Sequence, residues 1–118
     1  MTMMLDCRSL DSPDETRTFP SGHIDVVKVG GVTVGRTTLE PGWRWSDAVK
    51  PIAGTDSCTE PHTGYVLAGR IRVRMDDGTE GEAAAGDAIV IAPGHDAWVV
   101  GQEQCVLLDF AGSEHYAR

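Results

Sequence analysis

Three side chains, Cys58, His62 and His95, are of the types that hold a transition metal or carry nucleophilic chemistry. Thiolate and imidazole are the preferred ligands of Zn²⁺ and other borderline-soft divalent ions, at about 2.3 Å and about 2.0–2.1 Å respectively. Such a set tells against Ca²⁺ and Mg²⁺, which take all-oxygen shells. Asp56, two residues before Cys58 and on the same face of an extended strand, or a water, would complete four-coordination. Each residue also has a plainer use. A lone cysteine is commonly a small buried hydrophobe, and His62 beside Pro61 reads equally as a hydrogen-bonded strand histidine. His95-Asp96 follows the turn signal Pro93-Gly94, where Asp96 can satisfy backbone N–H groups. A Cys–His dyad, with Cys58 as nucleophile and His62 as base, is a further use of the pair, although the sequence offers it no orienting third group and no oxyanion pair.

The elements that must position these residues are short and β-rich. Residues 1–22 are polar and Pro-interrupted and read as an N-terminal arm, with room for a short strand, ahead of a single domain over 23–118. Segments 24–29 and 31–39 carry Val, Ile and Thr around a Gly30-Gly31 hairpin turn. Pro41-Gly42 ends the second, and 46–57, with Pro51 and Gly54, reads as a loop. Segment 65–75 alternates and turns through Asp76-Asp77-Gly78-Thr79 into 80–84, after which 88–92, 97–100 and 105–110 complete an all-β series. The tail, 111–118, is weakly patterned.

Two stretches carry a family resemblance. Tyr65-Val66-Leu67-Ala68-Gly69, followed by Gly86-Asp87, an apolar strand and Pro93-Gly94, is similar to the two motif regions of the cupin superfamily. That pattern runs Pro-Gly, a His-x-His pair, a Glu, Tyr-Val-Leu-x-Gly, then Gly-Asp, a strand, Pro-Gly and a third His, and the match spans Leu39 to Phe110. The resemblance implies an all-β fold, a small jelly-roll (double-stranded β-helix) cupin barrel. It also implies that the usual metal positions fall on Asp56, Cys58, His62 and Ala97, so the three-His-plus-Glu set is replaced. If the family register holds, the faces bearing Asp56 with Cys58, His62 with Val66, and His95 with Ala97 look inward, and Cys58, His62 and His95 converge in the barrel mouth. A divalent transition metal, zinc above all, is the implied cofactor, and its affinity should fall below about pH 6.5 as imidazole protonates.

Trp43 and Trp45 share one face near that mouth and, with Tyr65, are the candidate apolar wall for a small-molecule ligand. Packing against a partner or the arm is the alternative for the tryptophans. Arg70, Arg72 and Arg74 would face inward and hold a carboxylate only if their strand ran unbroken; a bulge at Gly69 would turn them out to pair with acids. His23 and His115 read as surface residues.

The formal net charge of −8, with ten dispersed Lys and Arg, argues against nucleic acid and against an anionic membrane surface. There is no apolar run near spanning length and no leader-like N-terminus. Cys7, Cys58 and Cys105 form no close pair, which favours free thiols in the cytoplasm. Edge strands and an unpaired arm favour a homodimer. Three functions stay open: a metal-binding cupin with a small organic ligand, with or without an activity of the family's dioxygenase, isomerase or lyase kind; a metal-free module that binds a small molecule; and a dimerisation module.

Overall fold

The computed structural model describes residues 5–111, 113, 114, 116 and 117. Among them the chain forms strands β1 (Glu15–Phe19), β2 (Gly22–Val29), β3 (Val32–Leu39), β4 (His62–Ala68), β5 (Arg70–Met75), β6 (Glu80–Ala84), β7 (Ala88–Ile91), β8 (His95–Val99) and β9 (Cys105–Ala111). Two single-turn helices, α1 (Trp45–Ala48) and α2 (Lys50–Ala53), lie between β3 and β4, in the stretch the sequence reads as loop. The strands build two antiparallel sheets, one in the order β1-β2-β3-β9-β4-β7 and one in the order β6-β5-β8.

Alternation along the strands makes one face of each sheet apolar, and these faces pack on each other. Ile24, Leu39, Val66, Ile91 and Cys105 from the larger sheet share a core with Ile71, Val73, Ala83, Ala97 and Val99 from the smaller. The fold is an all-β jelly roll, as expected, but its ladder does not close among the described residues: β1 and β7 remain edges of one sheet, β6 and β8 of the other. The segment expected as an arm contributes β1, which pairs with β2 from Glu15↔Val26 to Phe19↔Gly22.

Gly69 separates two strands that the alternating pattern joins. Its φ is +74°, and a Cβ there would press on the backbone of Gln104 and Cys105, so the position admits little but glycine. The chain leaves the larger sheet at Ala68 and enters the smaller one at Arg70, reversing the inside–outside parity. Ile71 and Val73 therefore point into the core, whereas Arg70 and Arg72 pair outside with Glu82 and Glu80, at 3.7 Å and 2.7 Å. The arginines do not line the interior and offer it no carboxylate clamp.

The tail is docked by a buried cation. Arg17 on β1 is buried, and its Nη1 donates to the carbonyls of Ser113 and Tyr116, both at 2.7 Å. Ser113 is fully buried against Gly35, where a Cβ would collide with its hydroxyl. This holds Tyr116 inside the molecule, 7% exposed. His23 stands near Asp25, at 3.6 Å, and His115 lies outside the described residues.

Candidate metal centre

Cys58 and His95 are brought together by backbone pairing. The Cys58 N–H donates to the His95 carbonyl at 2.8 Å, and the Gly94 N–H donates to the Cys58 carbonyl at 2.7 Å. This bridge adds the Cys58 segment to the free edge of β8. His62 comes from the other sheet, at the start of β4, opposite Ile91. Across the core its Nε2 lies 3.7 Å from the Cys58 sulfur, and one ligand atom from each of Cys58, His62 and His95 falls within 4.8 Å of the others. Cys58 and His95 are each 3% exposed, so the cluster sits inside the sandwich rather than at an open rim.

Both imidazoles are held in one tautomer. His62 Nδ1 lies 2.6 Å from Asp109 Oδ2, and His95 Nδ1 lies 2.8 Å from the Ala92 carbonyl. A carboxylate and a carbonyl oxygen can only accept, so Nδ1 carries a proton in each ring and Nε2 is the nitrogen left to ligate, in His62 once its second proton is lost. Orientation of a ligating histidine through its other ring nitrogen is the usual outer support of a metal site. Two Nε2 atoms and one sulfur close together in a buried site fit a soft or borderline divalent ion, and they leave a coordination position for a small molecule.

Electrostatics agree with the geometry. Burial raises the Cys58 thiol, but hydrogen bonds from His62 and His95 outweigh this and lower it to about 7. Burial works against charge on His62, yet the hydrogen bond to Asp109, then that to Cys58, together with both charges, raises it to about 9. Cys105, buried without such partners, is pushed up to about 11 and is an inert core thiol. Burial and the negative charges of Cys58 and Asp109 raise the Tyr116 phenol well above its usual value, which keeps it protonated.

A metal entering this cluster must displace the His62 Nε2 proton and the Cys58 proton. Affinity is therefore expected to rise with pH through about 7 and to level off only near 9, the values at which Cys58 and His62 titrate. The window is higher than a free imidazole implies, because Asp109 stabilises the competing imidazolium. A Zn²⁺ competition titration from pH 6 to pH 9.5 checks this; a plateau already reached at pH 7 would contradict it.

Beside the cluster lies a cavity of about 60 Å³, walled by Leu39, Trp43, Trp45, Ile91 and Leu107, with His62, His95 and Asp109 also among its lining residues. Ala97, at the usual third-His position, lines the same cavity and can ligate nothing. Trp43 and Trp45 line this cavity, at 3% and 2% exposure, and their indole N–H groups have no acceptor among the described residues. Two other expectations fare differently. Asp56 is exposed and stands outside the three-residue group, because the chain turns away between it and Cys58. Tyr65 is 40% exposed on the outer face of β4. Tyr116 supplies the aromatic wall instead, edge-on to His62 with ring centroids 5.4 Å apart.

Asp109 and Tyr116 are the site residues the sequence did not single out. Asp109 had a signal, as the one charged residue in the strand Cys105-Val106-Leu107-Leu108-Asp109-Phe110-Ala111, in parity with inward Cys105. Tyr116 had none. Asp109 also supplies the orienting third group that a Cys58–His62 dyad lacks in the sequence.

No known family model matches the sequence, and no curated protein matches it. Solved structures do. Oxalate decarboxylase of Lactobacillus farciminis superposes with a TM-score of 0.65 at 17% identity, over 98% of this chain and 35% of that one. A protein of unknown function from Acidithiobacillus ferrooxidans superposes with a TM-score of 0.58 at 22% identity, over 81% of this chain and 86% of that one. Another from Acinetobacter sp. ADP1 gives 0.60 at 11% identity, over 83% and 90%. The fold is that of a small cupin. This chain spans about a third of the decarboxylase chain. It carries a Cys/His/His group suited to a metal. No described helix is long and apolar enough to cross a membrane.

Proposed function

We propose that this cupin binds a divalent transition metal, zinc before others, through Cys58 Sγ and the Nε2 atoms of His62 and His95, and that the metal presents an open position to a small organic molecule in the adjoining cavity. The observation that carries this is the fixing of both rings: both Nδ1 atoms are committed to acceptors, which leaves Nε2 of each ring as the nitrogen that can ligate beside one sulfur. When bound, such a metal supplies a Lewis acid and a template for ligand orientation. Around it His95 and Cys58 are fixed by their backbone bridge, Asp109 holds His62, and Tyr116 and Trp45 keep bulk water from the cluster. The reaction of the decarboxylase neighbours is not carried over, because the likeness is one of fold.

Elemental analysis of the protein expressed with supplemented Zn²⁺, Fe²⁺ and Mn²⁺ tests this reading. We expect near-stoichiometric metal, mainly zinc. A protein that stays empty would overturn it and favour the second reading, in which Cys58 is a thiolate nucleophile with His62 as base and Asp109 as orienting group.

The cupin is further proposed to act as a homodimer. Tyr65, Leu67, Val90 and Phe110, between 40% and 78% exposed, lie on the outward side of β4, β7 and β9. Two copies of a chain with net charge −8 can meet there without opposing charges, since none of these side chains is ionisable near neutral pH. Val90→Asp and Leu67→Asp are expected to convert a dimer of about twice 12.6 kDa into a monomer in sedimentation equilibrium. Unchanged mass in both variants would place the interface elsewhere. The three free cysteines support a reducing compartment, the cytoplasm.

A further inference from the structure

We infer that the cavity selects a small, mainly aliphatic molecule with one metal-binding head that is neutral or at most singly charged, and that it rejects dianions such as dicarboxylates. This rests on the metal reading above and names the ligand class for the same site.

The walls supply the first argument. Leu39, Ile71, Ile89, Ile91, Ala97 and Leu107 surround the space opposite the histidines, so the part of a ligand away from the metal meets hydrocarbon. At about 60 Å³ the cavity is well below the roughly 150 Å³ that takes a benzene ring, which limits the apolar body to a few carbons.

Charge supplies the second. With the metal in place, its two positive charges are offset by the Cys58 thiolate and by Asp109, while both histidines are neutral. Among the described residues no lysine or arginine lines the cavity. The nearby candidates, Arg70 and Arg72, are turned outward by the break at Gly69 and engaged with Glu82 and Glu80. A second carboxylate would be buried with no cation to meet it, a large penalty in an apolar site.

The neighbouring surface adds a third. An outer cleft of about 440 Å³ shares Ile89 and Ile91 with the inner cavity, and its lining holds Glu80, Glu82 and Asp87 but no lysine or arginine. Glu80 and Glu82 are partly offset by their arginines, yet among the described residues Asp87 accepts from the Ala84 N–H and pairs with no cation, which leaves the cleft acidic. Multiply charged anions are disfavoured in that cleft.

Butyrate and succinate have the same four-carbon chain and differ in one terminal carboxylate, so they isolate the charge. Each is titrated into wild-type protein loaded with Co²⁺, and the thiolate-to-cobalt absorption band reports both metal retention and a ligand entering the coordination sphere. Affinity is expected to rise from acetate to butyrate by up to about fourfold per methylene. Succinate is expected to bind at least about tenfold more weakly than butyrate. Ile89→Arg, at a partly buried wall position, should narrow or reverse that ratio. Equal or tighter succinate binding by wild type, with the cobalt band retained, would overturn the inference alone. Absence of a thiolate-to-cobalt band would overturn the metal reading and the inference with it.

Discussion

Cys58→Ser and His62→Ala are each expected to lower the affinity for Zn²⁺ by more than about a hundredfold, beyond the 10–100-fold that loss of an outer supporting group causes. The purified variants should emerge almost metal-free. Cys58 supplies the only thiolate of the group, and a hydroxyl in its place is a poor ligand for a borderline-soft ion. His62 is the only member from the larger sheet, so without it the remaining pair, joined by their own backbone bridge, offers two ligands on one side. Asp109→Asn should fall between these variants and wild type, within the 10–100-fold range, because it weakens the hold on Nδ1 without removing a ligand. Competition with a chromophoric chelator, with elemental analysis of the same samples, gives the three values. Circular dichroism melts of the apo forms check that the fold survives. Wild-type metal content in folded Cys58→Ser protein would refute the ligand set.

The second large effect concerns the tail. Arg17→Ala is expected to destabilise the protein by about 3 kcal/mol, since it removes two short charged hydrogen bonds at about 1.5–3 kcal/mol each and strands two buried carbonyls. Stability alone would not show where the loss falls. Cys58 should also be alkylated faster in the metal-free protein, because Tyr116 and Cys58 line one small cavity of about 130 Å³ beside the cluster. Arg17→Lys is expected to be intermediate, because an ammonium is a point donor and cannot keep the guanidinium fork that also reaches Glu15 at 2.7 Å. An Arg17→Ala variant with an unchanged denaturation midpoint and an unchanged Cys58 alkylation rate would show that Tyr116 is held by its ring packing on Phe19 and His62 instead.

Much of this molecule was legible from the order of its residues. Alternation, Gly30-Gly31, Asp76-Asp77-Gly78-Thr79 and Pro93-Gly94 are local signals, and each marks a strand or turn where the structure has one. Parity held along β4 and β8, and with the cupin register for Cys58 it led to the expectation that Cys58, His62 and His95 meet. It failed at two kinds of place. Within the run from Tyr65 to Met75, one glycine with positive φ moves the chain from one sheet to the other; alternation alone carries no trace of that change, and it was Gly69 itself that marked where the arginines could turn outward. Ahead of Cys58, the chain is not a strand at Asp56, so a same-face argument had nothing to act on and the aspartate lies exposed.

Donor chemistry, then, was a property of the sequence: one thiol and two imidazoles suit a transition metal wherever they gather. Their support was decided only by tertiary structure. Asp109 reaches His62 because β9 pairs with β4, and Tyr116 reaches it because Arg17, almost the whole chain away, binds the tail's carbonyls. Such contacts depend on which strands become neighbours, a choice made by burying whole faces together, and no local pattern in either segment records it. The residues that can ligate were visible in the sequence; the acid that orients one of them and the ring that covers them were placed by the fold.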